Sequence, residues 1–470
     1  MNAVLWHADE AARATAGRAT GDWKAMGVSI DSRSVAAGDL FVALPGERFD
    51  GHDYVAGALA QGAAAAMIAR DLPLPADAPL LRVADSMDGL TALARAARAR
   101  SRAKVAAVTG SVGKTGTKEA LALVLRRQAA TQANLGNLNN HIGVPLSLAR
   151  LDAAQAFAVF ELGMNHPGEI APLSKLVRPD VAIITTVEAA HIAFFDSEDG
   201  IADEKAEIMA GLTGAIVLNR DNAHFARLAG HAKRYGIGRI IGFGHHPEAT
   251  FRVLDQAADE TGTTVAAMLG ARRLSFRIGT PGRHWVNNCL AVLAAVDAIG
   301  GDVERAARDL AELSPPKGRG TRRTITFARG TFGLIDDSYN ANAASMRAAF
   351  SLLATAQPKR GGRRIAALGD MLELGADGPA LHAGLAPALL AEPIDLVFTP
   401  GPLMAGLHAA LPATRRGAHA DTSGALIEPL VTALRDGDVV LVKGSLGSRM
   451  ALVVAALGAL ETPPATAGGC

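Results

Sequence analysis

At 470 residues the chain exceeds what one ordinary core organises, and the usual domain size predicts about three domains. Its 47 Lys and Arg balance 46 Asp and Glu, a formal net charge of +1, so there is no broad field for gripping nucleic acid, while 49% hydrophobic and 20% charged residues fit a soluble globular protein. Two cysteines argue against a disulfide framework, Met1–Arg13 lacks the apolar core of a secretory signal, and no apolar run approaches the ~20 residues of a spanning helix, so a cytoplasmic protein without membrane insertion is expected.

Short apolar runs alternate with longer Ala- and Leu-rich segments, the pattern of α/β architecture. The first block, residues 1–100, predicts strands over 40–44 and 64–68, a turn at Pro45-Gly46, and helices over 54–62 and 87–103. The second, 101–314, opens with a strand over 105–108. Further strands follow over 157–160, 181–184 and 215–218, and it closes on a helix over 286–299. Pro315-Pro316-Lys317-Gly318 predicts a stiff hinge. The third block, 315–470, predicts strands over 332–335, 364–368, 396–398 and 438–442 with helices between them, hence a doubly wound sheet. The Pro-, Gly- and Ala-rich tail 461–470 is expected to be unstructured.

The stretch from Val105 to Thr115 reads strand, glycine-rich turn, then Lys-Thr opening a helix. Glycines let backbone amides approach phosphate oxygens at a helix N-terminus. Gly110, Ser111, Val112, Gly113, Lys114, Thr115 and Gly116 are therefore the expected ATP contacts, with Lys114 on the terminal phosphates and the Thr115 hydroxyl on Mg²⁺. The first glycine of the long phosphate-loop pattern is Val108 here, so this is the shorter form. By itself the loop does not separate a kinase from a ligase or an ATPase.

Further motifs narrow that choice. In order they are Asn137-Leu138-Asn139-Asn140-His141-Ile142-Gly143, Glu161-Leu162-Gly163-Met164-Asn165-His166-Pro167-Gly168-Glu169, Ala189-Ala190-His191, Glu204-Lys205-Ala206-Glu207 and Gly282-Arg283-His284-Trp285-Val286-Asn287-Asn288. Together they resemble the Mur ligases of bacterial peptidoglycan synthesis. Asp336-Asp337-Ser338-Tyr339-Asn340-Ala341-Asn342 and Leu368-Gly369-Asp370-Met371-Leu372-Glu373-Leu374-Gly375 resemble the branch that adds D-alanyl-D-alanine. The Asp-Asn-Pro-Arg tetrad of branches adding a single amino acid is absent from the sequence. Asp31-Ser32-Arg33 and Asp50-Gly51-His52 resemble the family's UDP-sugar-binding domain. Departures include Gly116, where a second Thr or Ser is common, together with Thr186, Ala206 and Ala343.

The resemblance implies three α/β domains: a UDP-sugar-binding N-terminal domain, a central P-loop ATP-binding domain and a C-terminal Rossmann-like domain for the dipeptide. It also implies an ATP-dependent, amide-forming ligase working through an acyl phosphate. The implied substrates are UDP-N-acetylmuramoyl-tripeptide and D-alanyl-D-alanine, handled by a monomer. Lys114, Lys205 and Arg319 are the implied catalytic residues. Two Mg²⁺ ions are expected on Thr115, Glu161, His191 and Lys205, the last as a carbamate that carries a negative charge in place of a cation. His284, Asn288 and one of Asp336 or Asp337 are expected at the nucleotide. Ser32 and Arg33 are expected at the UDP moiety, and Asn139, Asn140, Tyr339, Asn340 and Asn342 at the peptide substrates.

Overall fold

A computed structural model describes residues 3–188, 195 and 197–462. The His191 assignment and all of the expected unstructured tail beyond residue 462 lie outside the described residues.

The chain builds three main sheets in succession. The first has five strands in the order Arg18–Thr20, Leu80–Arg82, Ala65–Ile68, Asp39–Val42, Gly27–Ser29, parallel except for the first. Ser86–Arg100 covers one face of it through Leu90, Leu93, Ala94 and Ala97. The helix expected over 54–62 starts as a 3-10 turn, Gly51–Tyr54, because the Asp50 carboxylate accepts the His52 amide at 2.9 Å, and runs on as Val55–Ala60.

The central sheet has nine strands and sets the site. Its phosphate-loop strand, Lys104–Thr109, lies between Phe157–Glu161 and Val181–Ile184, all parallel, with Glu161 opposite Val108 and Ile184 opposite Thr109. The chain first adds strands on one side of Lys104–Thr109 and then crosses to the other, so a topological switch point falls at this strand's carboxyl end, where ligand crevices form. These central strands carry mostly Val, Ile and Ala because both faces are buried. One edge is extended by Phe251–Ala258, Thr263–Leu269 and Arg272–Ile278, an antiparallel meander that a search for apolar runs passes over. Its strands alternate buried and exposed residues, which breaks the run.

The third sheet, in the order Thr321–Phe327, Gly330–Asp337, Val439–Lys443, Arg364–Leu368, Leu396–Pro400, Arg416–Ala420, is parallel except for the first strand. Separate apolar clusters cover its two faces, as a doubly wound sheet requires. The Pro315–Gly318 segment joins it to the central sheet without regular structure.

Candidate active site

Between the central and C-terminal sheets lies a cleft of about 1120 Å³. Its floor is the phosphate loop. Gly110 has φ +145°, and a Cβ there would meet the Thr185 hydroxyl at 1.9 Å. That hydroxyl instead donates to the Val112 carbonyl at 2.6 Å and shapes the loop from the neighbouring strand's end. Ser111 is held on both sides, its amide by Thr186 O at 2.9 Å and its hydroxyl by Glu188 O at 2.9 Å. Gly113, at φ +86°, stands directly under the Asn288 side chain, whose Oδ1 would lie 2.9 Å from an added Cβ. Gly113 is the N-cap of the helix Lys114–Arg126, and no side chain caps that helix, so its first amides stay open at its positive end.

Gly116 departs from the common pattern for a packing reason. A Cβ there would fall 2.8 Å from the Trp285 ring, so the tryptophan fills the space a second Thr or Ser would use. His284, next to it, is exposed on the cleft between the two walls. That enclosure, reinforced by the Lys443 charge, lowers its pKa to about 4, and the imidazole is neutral at pH 7.

Lys114 and Glu161 line the cleft's central wall, and Lys205 lies buried behind it against Met164. Lys114 Nζ donates to the Gly110 carbonyl at 2.6 Å, and enclosure lowers its pKa against the opposing pull of Glu161. Glu161 is buried at its strand's end. One carboxylate oxygen accepts from Asn139 Nδ2 at 2.7 Å, while the other, Oε2, is buried without a hydrogen-bond partner among the described residues. Lys205 is 1% exposed and lies in the last turn of the helix Glu198–Ala206. Among the described residues its ammonium has one polar contact, the Met164 thioether at 3.9 Å. Burial first, then the Lys114 charge, push its pKa well below the ordinary lysine value, against the opposing pull of Glu204. The adjacent Glu204 carboxylate turns to the Gly168 amide at 2.7 Å and the Ile170 amide at 3.2 Å, which fixes the loop around Met164.

The C-terminal wall brings Arg319, Asp337, Tyr339, Asn340 and Asn342 to the same cleft. The Arg319 guanidinium lies 4.3 Å over the Tyr339 ring. The two adjacent aspartates, equivalent in the sequence, separate here. Asp336 turns inward, accepting the Ser338 hydroxyl at 2.6 Å, whereas Asp337 lines the cleft and pairs with Lys443 Nζ at 2.8 Å. Asn342 spends its side chain on a capping box for the helix Ala343–Ala354, and Asn140 accepts the Ile142 and Gly143 amides at the start of Gly143–Ala149. Both asparagines line the cleft while doing so.

Ser32 and Arg33 are not among the cleft residues. Arg33 pairs with Asp31 at 2.7 Å on the first sheet's surface and, by hydrogen bonding, lowers the Asp31 carboxyl to about 2. The sequence reading overlooked Lys443. It ends an apolar strand just before Gly444-Ser445, as Glu161 ends its own strand before Leu162-Gly163, and the strand-end rule would have singled it out.

Sequence comparison agrees with this geometry. The chain matches the Mur ligase family catalytic domain over residues 24–100, the Mur ligase middle domain over 108–296 and the Mur ligase glutamate ligase domain over 322–446. It is 37% identical to a UDP-N-acetylmuramoyl-tripeptide–D-alanyl-D-alanine ligase of Escherichia coli, covering 92% of this chain and 93% of the relative. A crystal structure of MurF from Acinetobacter baumannii superposes with a TM-score of 0.85 at 32% identity, covering 97% of this chain and 99% of that one. MurF ligase from Thermotoga maritima in complex with ADP superposes with a TM-score of 0.76 at 27% identity, covering 92% and 97%. The phosphate loop, the buried strand-end carboxylate facing it and the three-sheet chain in which they sit place this protein in the Mur ligase family, among the UDP-N-acetylmuramoyl-tripeptide–D-alanyl-D-alanine ligases.

Proposed function

We propose that this protein joins D-alanyl-D-alanine to UDP-N-acetylmuramoyl-tripeptide at the expense of ATP, the last cytoplasmic step in assembling the pentapeptide precursor of peptidoglycan. The observation that carries the reading is the convergence, at one cleft, of an uncapped phosphate-loop helix and a carboxylate with one unsatisfied buried oxygen, with a buried lysine that has no ion-pair partner among the described residues packed behind the wall on Met164. A kinase or a nucleotide-gated binding protein also uses a carboxylate for Mg²⁺ but has no need of the buried lysine.

In this reading the tripeptide carboxylate attacks the γ-phosphorus of ATP, forming an acyl O–P bond as the bond to ADP breaks. The dipeptide amine then attacks the acyl carbon, loses its proton, and inorganic phosphate leaves. Phosphoryl transfer of this kind is mainly positioning and charge neutralisation. Lys114 and the open amides of its helix hold the terminal phosphates. Arg319 approaches from the opposite wall, its planar fork kept in orientation by Tyr339. Asn288 and His284 border the nucleotide. Asp337, the aspartate on the cleft, takes the nucleotide or linker role. Tyr339, Asn340, Asn342, Asn139 and Asn140 border the peptide substrates, and Ser32 and Arg33 meet the UDP moiety.

The donor set fits a hard divalent cation: the free Glu161 oxygen and the Thr115 hydroxyl are oxygen ligands of the type Mg²⁺ prefers. His191 is proposed with them. When bound, Mg²⁺ supplies charge neutralisation at the phosphate oxygens. Lys205 fits a carbamate, because a neutral amine is the form that adds CO₂, giving N–COO⁻ and releasing one proton. The product's negative charge suits a second Mg²⁺ where an ammonium would repel it. Residues 1–100, 101–314 and 315–470 act in this scheme as UDP-sugar, ATP and dipeptide domains of a cytoplasmic monomer, closing about the Pro315–Gly318 hinge.

The test is to incubate the protein with UDP-N-acetylmuramoyl-tripeptide, ATP and D-alanyl-D-alanine. The expected result is a product heavier by one dipeptide residue pair, with phosphate release that requires both acceptors. Phosphate release indifferent to the dipeptide would overturn the reading.

A further inference from the structure

Two buried polar residues outside the roles above converge on Glu161. Lys118 lies one helical turn beyond Lys114 on the phosphate-loop helix and is fully buried. Its ammonium donates to the Asn134 carbonyl at 2.8 Å and the Gly136 carbonyl at 3.3 Å, and it pairs with Glu119 at 2.7 Å. A buried ammonium is costly unless its donors are all used, so a turn presenting two carbonyls to it is held firmly.

Asn134, 2% exposed, leads out of the short strand Thr131–Ala133. Its side chain continues the ladder where that strand stops: Oδ1 accepts the Glu161 amide at 2.9 Å, and Nδ2 donates to the Glu161 carbonyl at 3.3 Å and the Leu138 carbonyl at 2.8 Å. The same turn ends at Asn139, which holds Glu161 Oε1 at 2.7 Å and accepts the Gly163 amide at 2.8 Å. Gly163 must be glycine for this, since a Cβ would fall 2.8 Å from the Asn139 side chain. Backbone and one carboxylate oxygen of Glu161 are thereby fixed, and the remaining oxygen is buried with no partner among the described residues.

We propose that Lys118 and Asn134 are positioning residues that aim the free oxygen of Glu161 at a divalent cation beside the phosphate loop. The proposal rests on reading Glu161 as a cation ligand. Lys118 ties the turn to the helix that carries Lys114, and Asn134 transmits that register to the Glu161 backbone. Orientation of a ligand by its supporting hydrogen bonds is worth about 10- to 100-fold in metal affinity.

The test uses Mn²⁺ as the probe, titrated by electron paramagnetic resonance into the full-length protein with a non-hydrolysable ATP analogue. The proteins compared are wild type, Asn134→Ala, Lys118→Met, Glu161→Gln and the two doubles with Glu161→Gln, with melting temperatures taken in the absence of metal. The expected result is about a tenfold loss of Mn²⁺ affinity for either single variant, and less than about a twofold further loss once Glu161 is already Gln, because a residue acting through Glu161 has nothing left to orient. Equal losses in both backgrounds would make the two residues a mere support of the fold and overturn the proposal. Wild-type affinity in the single variants with a loss in Glu161→Gln would overturn it while sparing the ligand reading. Unchanged affinity in Glu161→Gln would remove that reading and the proposal together. Should Asn134→Ala fail to fold, Lys118→Met, which leaves Asn134 in place, carries the same comparison.

Discussion

One buried lysine lines the cleft on its C-terminal wall and another lies behind its central wall, and their surroundings treat them oppositely. On the C-terminal wall Lys443, 2% exposed, meets the Asp337 carboxylate at 2.8 Å and the Asn340 carbonyl at 2.9 Å. Behind the central wall Lys205 is as deeply buried but has a thioether at 3.9 Å and another lysine's charge nearby, opposed by Glu204 without an ion pair among the described residues. A buried ammonium with a carboxylate partner has its charge compensated, and removal of that partner inside protein is costly. One without such a partner has its pKa pushed down by burial. Residue type and burial are alike in the two places. The partner decides whether the buried charge is compensated or the lysine's pKa is pushed down.

The largest effect is expected on the central wall. Lys114→Ala should lower ATP-dependent ligation by about a thousandfold, since an electrostatic contact to transferring phosphate is removed, with little change in melting temperature. Steady-state phosphate release and calorimetry measure the two parts, and full activity in the folded variant would end the phosphate-loop reading.

The difference between the two lysines is sharpened by labelling. Protein equilibrated with ¹³C-bicarbonate should show a carbamate resonance that Lys205→Ala abolishes and Lys443→Met leaves in place. Under the proposed metal role, loss of the Lys205 side chain should also lower activity by about a hundredfold. A carbamate signal unaffected by Lys205→Ala would erase the contrast.

On the C-terminal wall the expected effect is on stability. Asp337→Asn leaves Lys443 buried without its counter-charge and should cost about 3 kcal/mol in urea unfolding. Lys443→Met should cost less, because Asp337, 20% exposed, can recover water. A reversed order would show that Asp337, not Lys443, is the group held under duress.

The smallest effect concerns His284. Its folded pKa is about 4 against an ordinary 6.5, so between those values the unfolded chain binds more protons than the native one. Stability from this group is therefore complete above about pH 6.5 and is lost as the pH falls through about 4. Urea midpoints at pH 7 and pH 4.5 should differ less in His284→Gln than in wild type, and identical differences would remove His284 from the account.

Much of this was legible in the residues. The strands that flank the phosphate loop are continuous Val, Ile and Ala runs because they are buried on both faces, so their positions could be read directly, as could the loop from its glycines and Lys-Thr pair. The edge meander over 251–278 was not, because its half-exposed strands interrupt every apolar run with a polar residue. Glu161, Lys205 and Arg319 could be named from a family likeness. Their neighbourhoods could not, since each depends on chain segments far away in sequence.

Local sequence therefore determined which segments become strands and helices and where a phosphate could be gripped, through periodicity, glycine placement and the open start of one helix. Only the tertiary structure decided that Asp337 faces the cleft while Asp336 turns to Ser338, that Trp285 accounts for the glycine at 116, and that one buried lysine is paired and the other is not. The physical reason is common to all three: charge state and available space are set by neighbours across the fold, and a side chain's own position in the chain does not specify them.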